Sequence, residues 1–231
     1  MCGRVILTLS AKMIKQILAE EYDINQLNID DFVPQYNLGP SGQLLSVIKH
    51  DGTFRAGKLN WRFIPSYAKN QNEGYKYINA RSETLDEKVT YREAFRKRRC
   101  LLICNGFYEW KREKVKRPFL FHRPEMNLIV LAGIWQAQHL DDGTKEYGLS
   151  ILTTEANDIM TPIHHRMPVI LKGKDVHDWL DLSQSYEDLK HLFSPVEASY
   201  LCKYEVSNYV NSLRNQDQIC IEPAINLTTY E

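Results

Sequence analysis

Segments patterned as strands outnumber those patterned as helices, and the two kinds do not alternate along the chain. That feature constrains the fold more than any other. Residues 44–49 read as a strand, Asp51-Gly52 as a hairpin turn, and 53–64 as the returning strand. An Asp-Gly pair accepts the positive φ angles that a two-residue hairpin needs. Further strands are expected over 100–104, 119–122, 128–134, 147–153 and 169–171, with a closing strand at 219–221. Helical stripes are fewer. Ser10 as N-cap and the apolar row Met13, Ile14, Ile17, Leu18 and Tyr22 predict a helix from Ala11 to Tyr22. Residues 91–99 predict a second helix, with Phe95 inward and its basic residues outward, and 175–181 and 186–193 predict two short ones. Without β–α alternation a doubly wound parallel sheet is excluded. The expectation is an α+β fold: a single domain over 1–231, its core about 2–223, with a mostly antiparallel, barrel-like β core flanked by helices.

A chain of 231 residues, 43% hydrophobic and 25% charged, can bury a substantial core in one domain. No apolar run approaches the ~20 residues that span a bilayer. The sequence shows no leader and an odd count of five cysteines without paired spacing. A monomer with free thiols in a reducing, cytoplasmic compartment is therefore expected, with no membrane partner. The formal charge is zero, with 29 basic and 29 acidic residues, which excludes a polybasic tail but not local patches. Arg92, Arg96, Lys97, Arg98 and Arg99 face only Glu93 in their segment; Lys111, Arg112, Lys114, Lys116 and Arg117 face only Glu113. These are either a solvated helix face and a solvated hairpin tip, or a phosphate-binding surface. Composition does not decide between them.

The chain begins Met1-Cys2-Gly3-Arg4. Cysteine is small enough to permit removal of the initiator methionine. Removal leaves an α-amine and a thiol on adjacent carbons of one residue. Such a pair condenses with an aldehyde to a Schiff base, which the thiolate closes to a five-membered thiazolidine. An α-amine titrates near ~7.7–8.0 and a free thiol near ~8.5, so both nucleophiles are accessible near neutral pH, whereas a lysine at ~10.4 needs heavy desolvation. Taken alone, Cys2 reads more simply as a small residue after a start codon.

Three segments place polar groups where a core strand should not carry them. In 77–84, strand alternation puts Asn79, Arg81 and Glu83 on one face, as a structural pair or a site lining. In 104–111, Glu109 lies between Tyr108 and Trp110; burial against aromatics raises a carboxyl into the range of a general acid, while an ion pair with Lys111 or Arg112 is the plainer alternative. After Thr153-Thr154 comes Ile163-His164-His165-Arg166-Met167-Pro168, where a histidine leading into a strand can shuttle protons. Chemistry alone does not choose between His164 and His165. Cys100 and Cys104 share a strand face, but four residues on a strand separate them by roughly 13 Å. That is too far for one zinc, whose sulfur bonds are near ~2.3 Å, so no metal and no cofactor are expected.

Five ordered motifs resemble one family, the SOS-response-associated peptidase (SRAP), or abasic-site processing, proteins. They are Met1-Cys2-Gly3-Arg4, Tyr36-Asn37-Leu38-Gly39-Pro40, the run from Ile78 to Thr84, the run from Gly106 to Lys111, and Ile163 to Pro168. The likeness covers nearly the whole chain. It implies a barrel-like α+β fold with a positive DNA-binding groove. It also implies a covalent crosslink between Cys2 and the ring-opened sugar of an abasic site in single-stranded DNA, removal of Met1 attributed to the protein's own peptidase activity, and weak lyase chemistry. Carried over by motif, Cys2 is the nucleophile, Asn79 positions the Cys2 amine or the sugar, Glu109 transfers protons, and His164 is the catalytic histidine because it follows Ile163. Arg4, Arg81 and Arg166 would hold flanking phosphates, and Asn37, Pro40, Tyr67 and Thr153 would shape the DNA-binding pocket. The family often has Asp where this chain has His165, and its aromatic wedge is partly retained as Tyr67. Two other functions fit the same residues: a Cys2–His164–Glu109 peptidase acting in trans, and a non-covalent reader of modified DNA bases.

Overall fold

The structure, a computed structural model, describes residues 2–68, 71–139 and 143–224. In chain order its elements are β1 (Arg4–Leu7), α1 (Ala11–Tyr22), β2 (Gln35–Leu38), β3 (Gln43–His50), β4 (Thr53–Asn60), β5 (Asn79–Arg81), α2 (Val89–Lys97), β6 (Arg99–Cys104) and β7 (Gly106–Lys111). There follow β8 (Arg117–His122), β9 (Ile129–His139), β10 (Lys145–Glu155), β11 (Arg166–Pro168), β12 (Ile170–Leu171), α3 (Asp175–Leu180), α4 (Tyr186–Leu189) and β13 (Cys202–Glu205).

Five strands close into a ring. β4 pairs with β3, β3 with β6, β6 with β9 and β9 with β10, all antiparallel, and β10 returns to β4 through the parallel pair Gly148↔Asn60. A second sheet runs β13-β8-β7-β1-β2. The fold is thus α+β with a mostly antiparallel, barrel-like core. The β3–β4 turn has Asp51 at φ 49° and Gly52 at φ 74°, the double left-handed conformation that Asp-Gly tolerates. Helix α1 has the expected limits, and the Ser10 side chain accepts from Met13 N–H at 3.3 Å. No helix among the described residues is long and apolar enough to cross a membrane.

The core has two main parts. One lies under the helices and includes Leu18, Tyr22, Phe95 and Trp179; the other lies between the barrel and the second sheet and includes Cys2, Trp61, Phe107 and Phe121. The rings of Phe107 and Phe121, cross-strand partners on β7 and β8, stack 5.4 Å apart.

Four expectations need correction. Met13 is 48% exposed, so the buried row of α1 is Ile14, Leu18 and Tyr22. The strand after the hairpin ends at Asn60, because Arg62 N–H turns back to Asn60 O at 2.7 Å in a tight turn. Arg99 is not on an outward helix face. It is buried on β6, and its guanidinium donates to the carbonyls of Phe95, Trp179, Asp181 and Gln184, tying α2 and α3 to the barrel. Residues 219–221 lie in a 3₁₀ turn, because Asp217 Oδ1 accepts from Ile219 N–H at 2.9 Å and caps it.

Candidate active site at the start of the chain

Strand β1 is held between β2 and β7. Its register with β7 sets Arg4 opposite Tyr108 and Ile6 opposite Gly106. One step further this pairing sets Gly3 opposite Glu109, and both border one cavity of about 430 Å³. Arg4, Trp110, Arg112, Lys116, His164 and Asn211 complete its wall. Cys2 lies beneath, with none of its surface exposed.

Residue 2 is held from below by β5. Asn79 Nδ2 donates to Cys2 O at 2.8 Å, and Tyr91 Oη donates to Asn79 O at 3.2 Å. The parallel register Ile151↔Asn79 fixes β5 against β10. Asn79 Oδ1 is buried and has no hydrogen-bond partner among the described residues. An unsatisfied buried acceptor costs about 1–3 kcal/mol.

Burial sets the ionisation of the three titratable groups. It pushes the Cys2 thiol well up, and the charges of Glu109 and Cys104 push the same way. It also raises the Glu109 carboxyl, against the opposing pull of the Trp110 backbone N–H and the Arg112 charge. His164 is lowered to about 4, first by burial and then by the neighbouring His165 and Arg112 charges. The His164 Nδ1 lies 3.0 Å from Arg166 N and 3.2 Å from Arg166 O, so the Arg166 backbone orients the ring. The ring stacks on His165 at 4.5 Å, and His165 faces solvent. The loop between β10 and β11 holds this ring in place: Ala156 N–H donates to His165 O at 3.1 Å, and Asn157 Nδ2 anchors the loop on Val196 O at 2.9 Å.

The structure therefore brings Cys2, Asn79, Glu109 and His164 together, with Arg4 beside them. Arg4 also has a framework role: its guanidinium donates to Asn37 Oδ1 at 2.7 Å and to Val210 O at 2.8 Å. Asn37 and Thr153 are fully buried and lie under the site. The Asn37 amide binds the carbonyls of Val210, Ser212 and Asn215, which positions the loop carrying Asn211. Thr153 accepts Arg166 through its carbonyl at 2.6 Å, and Arg166 is buried in an ion pair with Glu83. Expected as a phosphate contact, Arg166 instead has its charge committed to this pair. Alternation along 77–84 fails after Arg81, where the chain enters a 3₁₀ turn, so Glu83 meets Arg166 and not Asn79. Pro40 is half-buried. Tyr67 and Arg81 are exposed outside the cavity wall, with Tyr67 Oη 2.6 Å from Thr90 Oγ1. Met1 and its removal lie outside the described residues.

Sequence reasoning missed Trp110 and Asn211 as lining residues. Trp110 Nε1 donates to Asn211 Oδ1 at 2.7 Å, a contact between residues 101 positions apart that no local pattern announces.

Comparison with known proteins identifies the family. A family profile described as SOS response associated peptidase (SRAP) matches residues 1–213. The chain is 38% identical over 233 residues to the abasic site processing protein YoqW of Bacillus subtilis (strain 168), covering 96% of this chain and 99% of YoqW. It is 30% identical over 264 residues to the abasic site processing protein HMCES of Gallus gallus, covering 96% of this chain and 78% of HMCES. Among solved structures, a protein from Bacteroides thetaiotaomicron shares the fold at a TM-score of 0.81 and 22% identity, covering 97% of this chain and all of that one. A barrel with residue 2 buried beneath a cationic cavity, and a family match along nearly its whole length, make this chain a member of the SOS response associated peptidase (SRAP) family.

Proposed function

We propose that this protein senses abasic sites in single-stranded DNA and captures them covalently as a thiazolidine on Cys2, once Met1 is removed. The observation that carries the proposal is the anchoring of residue 2 by the Asn79–Cys2 bond beside Glu109 and His164. An abasic sugar interconverts between a closed hemiacetal and an open aldehyde. Glu109, its carboxyl raised by burial, suits protonation of the ring oxygen; a neutral His164 suits removal of the hydroxyl proton. The Cys2 amine adds to the aldehyde and water leaves. The thiol then adds across the imine, its sulfur going to carbon and its proton to nitrogen. Asn79 Oδ1 is a free acceptor for the amine or a sugar hydroxyl. Arg4, Arg81, Arg112 and Lys116 offer positive charge to flanking phosphates, and Tyr67 offers a ring to a neighbouring base. A sugar inside a duplex cannot reach a recessed residue 2 without unstacking, which favours single strands. The imine also labilises the 3′ phosphate, so weak lyase activity accompanies capture, and thiazolidine closure suppresses it.

The ionisation pattern argues against a peptidase acting in trans. A Cys–His hydrolase needs a stabilised thiolate beside an imidazolium, and here the thiol is pushed up and the imidazole down. A non-covalent base reader has no need of a buried residue 2.

The test is denaturing gel electrophoresis of processed protein with a uracil-excised oligonucleotide, beside undamaged DNA. A shifted band that survives boiling in detergent, with the mass of both partners less one water, is expected with the abasic strand alone. Cys2→Ala in the processed chain should abolish the stable band yet keep borohydride-trapped imine. An unshifted parent protein rejects the proposal.

A further inference from the structure

We propose that the cavity over Cys2 also captures small free aldehydes that carry a phosphate, and that this adduct blocks the protein. The inference rests on the preceding reading of Cys2 as an amine and thiol on one residue. Ring closure at such a residue involves only the carbonyl carbon. The aldehyde oxygen leaves as water with one hydrogen from the amine and one from the thiol, and no electrons change hands. Nothing in that step requires a polymer.

The cavity supplies selection for an anion. Its volume of about 430 Å³ accommodates a three-carbon phosphate, and Arg4, Arg112 and Lys116 border it. Within the β7–β8 hairpin the cations divide into two groups. Lys111 is tied to Glu113, and Arg117 to Glu113 and Glu205. Arg112, Lys114 and Lys116 form no ion pair among the described residues, and of these Arg112 and Lys116 face the cavity. The Arg112 charge acts on both Glu109 and His164, which border the same cavity. Glu109 is the acidic residue on the wall, and burial favours its neutral form. A phosphate in this cavity thus meets cations on the same wall as Gly3, Glu109 and His164. A three-carbon aldehyde phosphate cannot close a furanose ring, so no ring has to open before its carbonyl reacts.

The probes are glyceraldehyde 3-phosphate and unphosphorylated glyceraldehyde, incubated separately with processed protein and followed by intact mass and peptide mapping. One addition at Cys2, with loss of one water, is expected for both. The phosphorylated probe should react roughly tenfold or more faster, as focusing by a cationic cleft implies. In an Arg112→Ala/Lys116→Ala double variant the two rates should converge, and inorganic phosphate should slow the phosphorylated probe in the parent protein. Protein loaded with the probe should no longer crosslink abasic DNA. Equal rates in the parent, or a phosphate preference that survives in the double variant, overturns the inference. If abasic DNA crosslinks while the aldehyde phosphate does not add, this inference alone fails; if neither adds, the reading of Cys2 fails with it.

Discussion

At the scale of single residues, burial sets Glu109 and His164 in opposite directions, and stability should record both. Glu109 has a raised carboxyl, so the fold holds its proton more tightly than the unfolded chain does. That contribution is present below the ordinary carboxylate value and is lost as pH rises through the raised one. Glu109→Gln removes a charge that the fold disfavours. It should raise the neutral-pH melting temperature, by on the order of 1 kcal/mol of stability, while slowing capture of the ring-closed sugar. Equal melting temperatures would contradict the electrostatic account. His164 is lowered to about 4, so its neutral form stabilises the fold above ~6.5 and that stability is lost as pH falls toward 4. Thermal melts from pH 7 to pH 4 should show this loss, and His164→Gln should flatten the acid limb. The chemistry of Cys2 was legible because it depends on position two and two functional groups. The role of Arg166 was not, because its partner Glu83 is 83 positions away and reaches it only after the alternation of 77–84 breaks.

At the scale of elements, the barrel seam is the most demanding junction. β10 meets β4 at one backbone pair, Gly148↔Asn60, and Glu146 of β10 clasps Asn60 Nδ2 at 2.7 Å and Arg62 Nε at 2.9 Å. A Cβ on Gly148 would stand 2.1 Å from Arg62 O, inside contact distance with backbone. Gly148→Ala should therefore part the seam and cost about 3 kcal/mol, read by denaturant unfolding; an unchanged midpoint would place the seam elsewhere. Strands with alternating or continuous apolar runs, α1 with its Ser10 cap and the Asp51-Gly52 turn were all legible, since local chemistry specifies them. The seam was not. Its glycine and its Glu146–Arg62 pair gain meaning only once distant strands meet. Residues 219–221 misled for the reverse reason: their apolar character suits a strand, and a capping aspartate two residues earlier decided for a turn.

At the scale of the whole molecule, zero net charge conceals an uneven surface. Of the two basic runs, the helical one is largely neutralised or buried, through Arg96–Asp86, Arg98–Glu93 and the carbonyl cage of Arg99. The hairpin run keeps Arg112 and Lys116 at the cavity. Binding of undamaged single-stranded DNA should weaken linearly in the logarithm of salt concentration. The Arg112→Ala/Lys116→Ala variant should flatten that slope by about 1.4 if each cation meets one phosphate. A slope unaltered by the double change would move the DNA path away from the hairpin. Composition placed both runs on equal footing; the difference between them lies in which acids the fold brings near.

Because Cys2 has no exposed surface and Asn79 holds its carbonyl, the proposed chemistry depends on a nitrogen that carries nothing ahead of it. Affinity handles for purification therefore belong at the far end of the polypeptide. A leader fused ahead of the initiator would mask the amine, and preparations made that way would look inert for a reason unrelated to the protein.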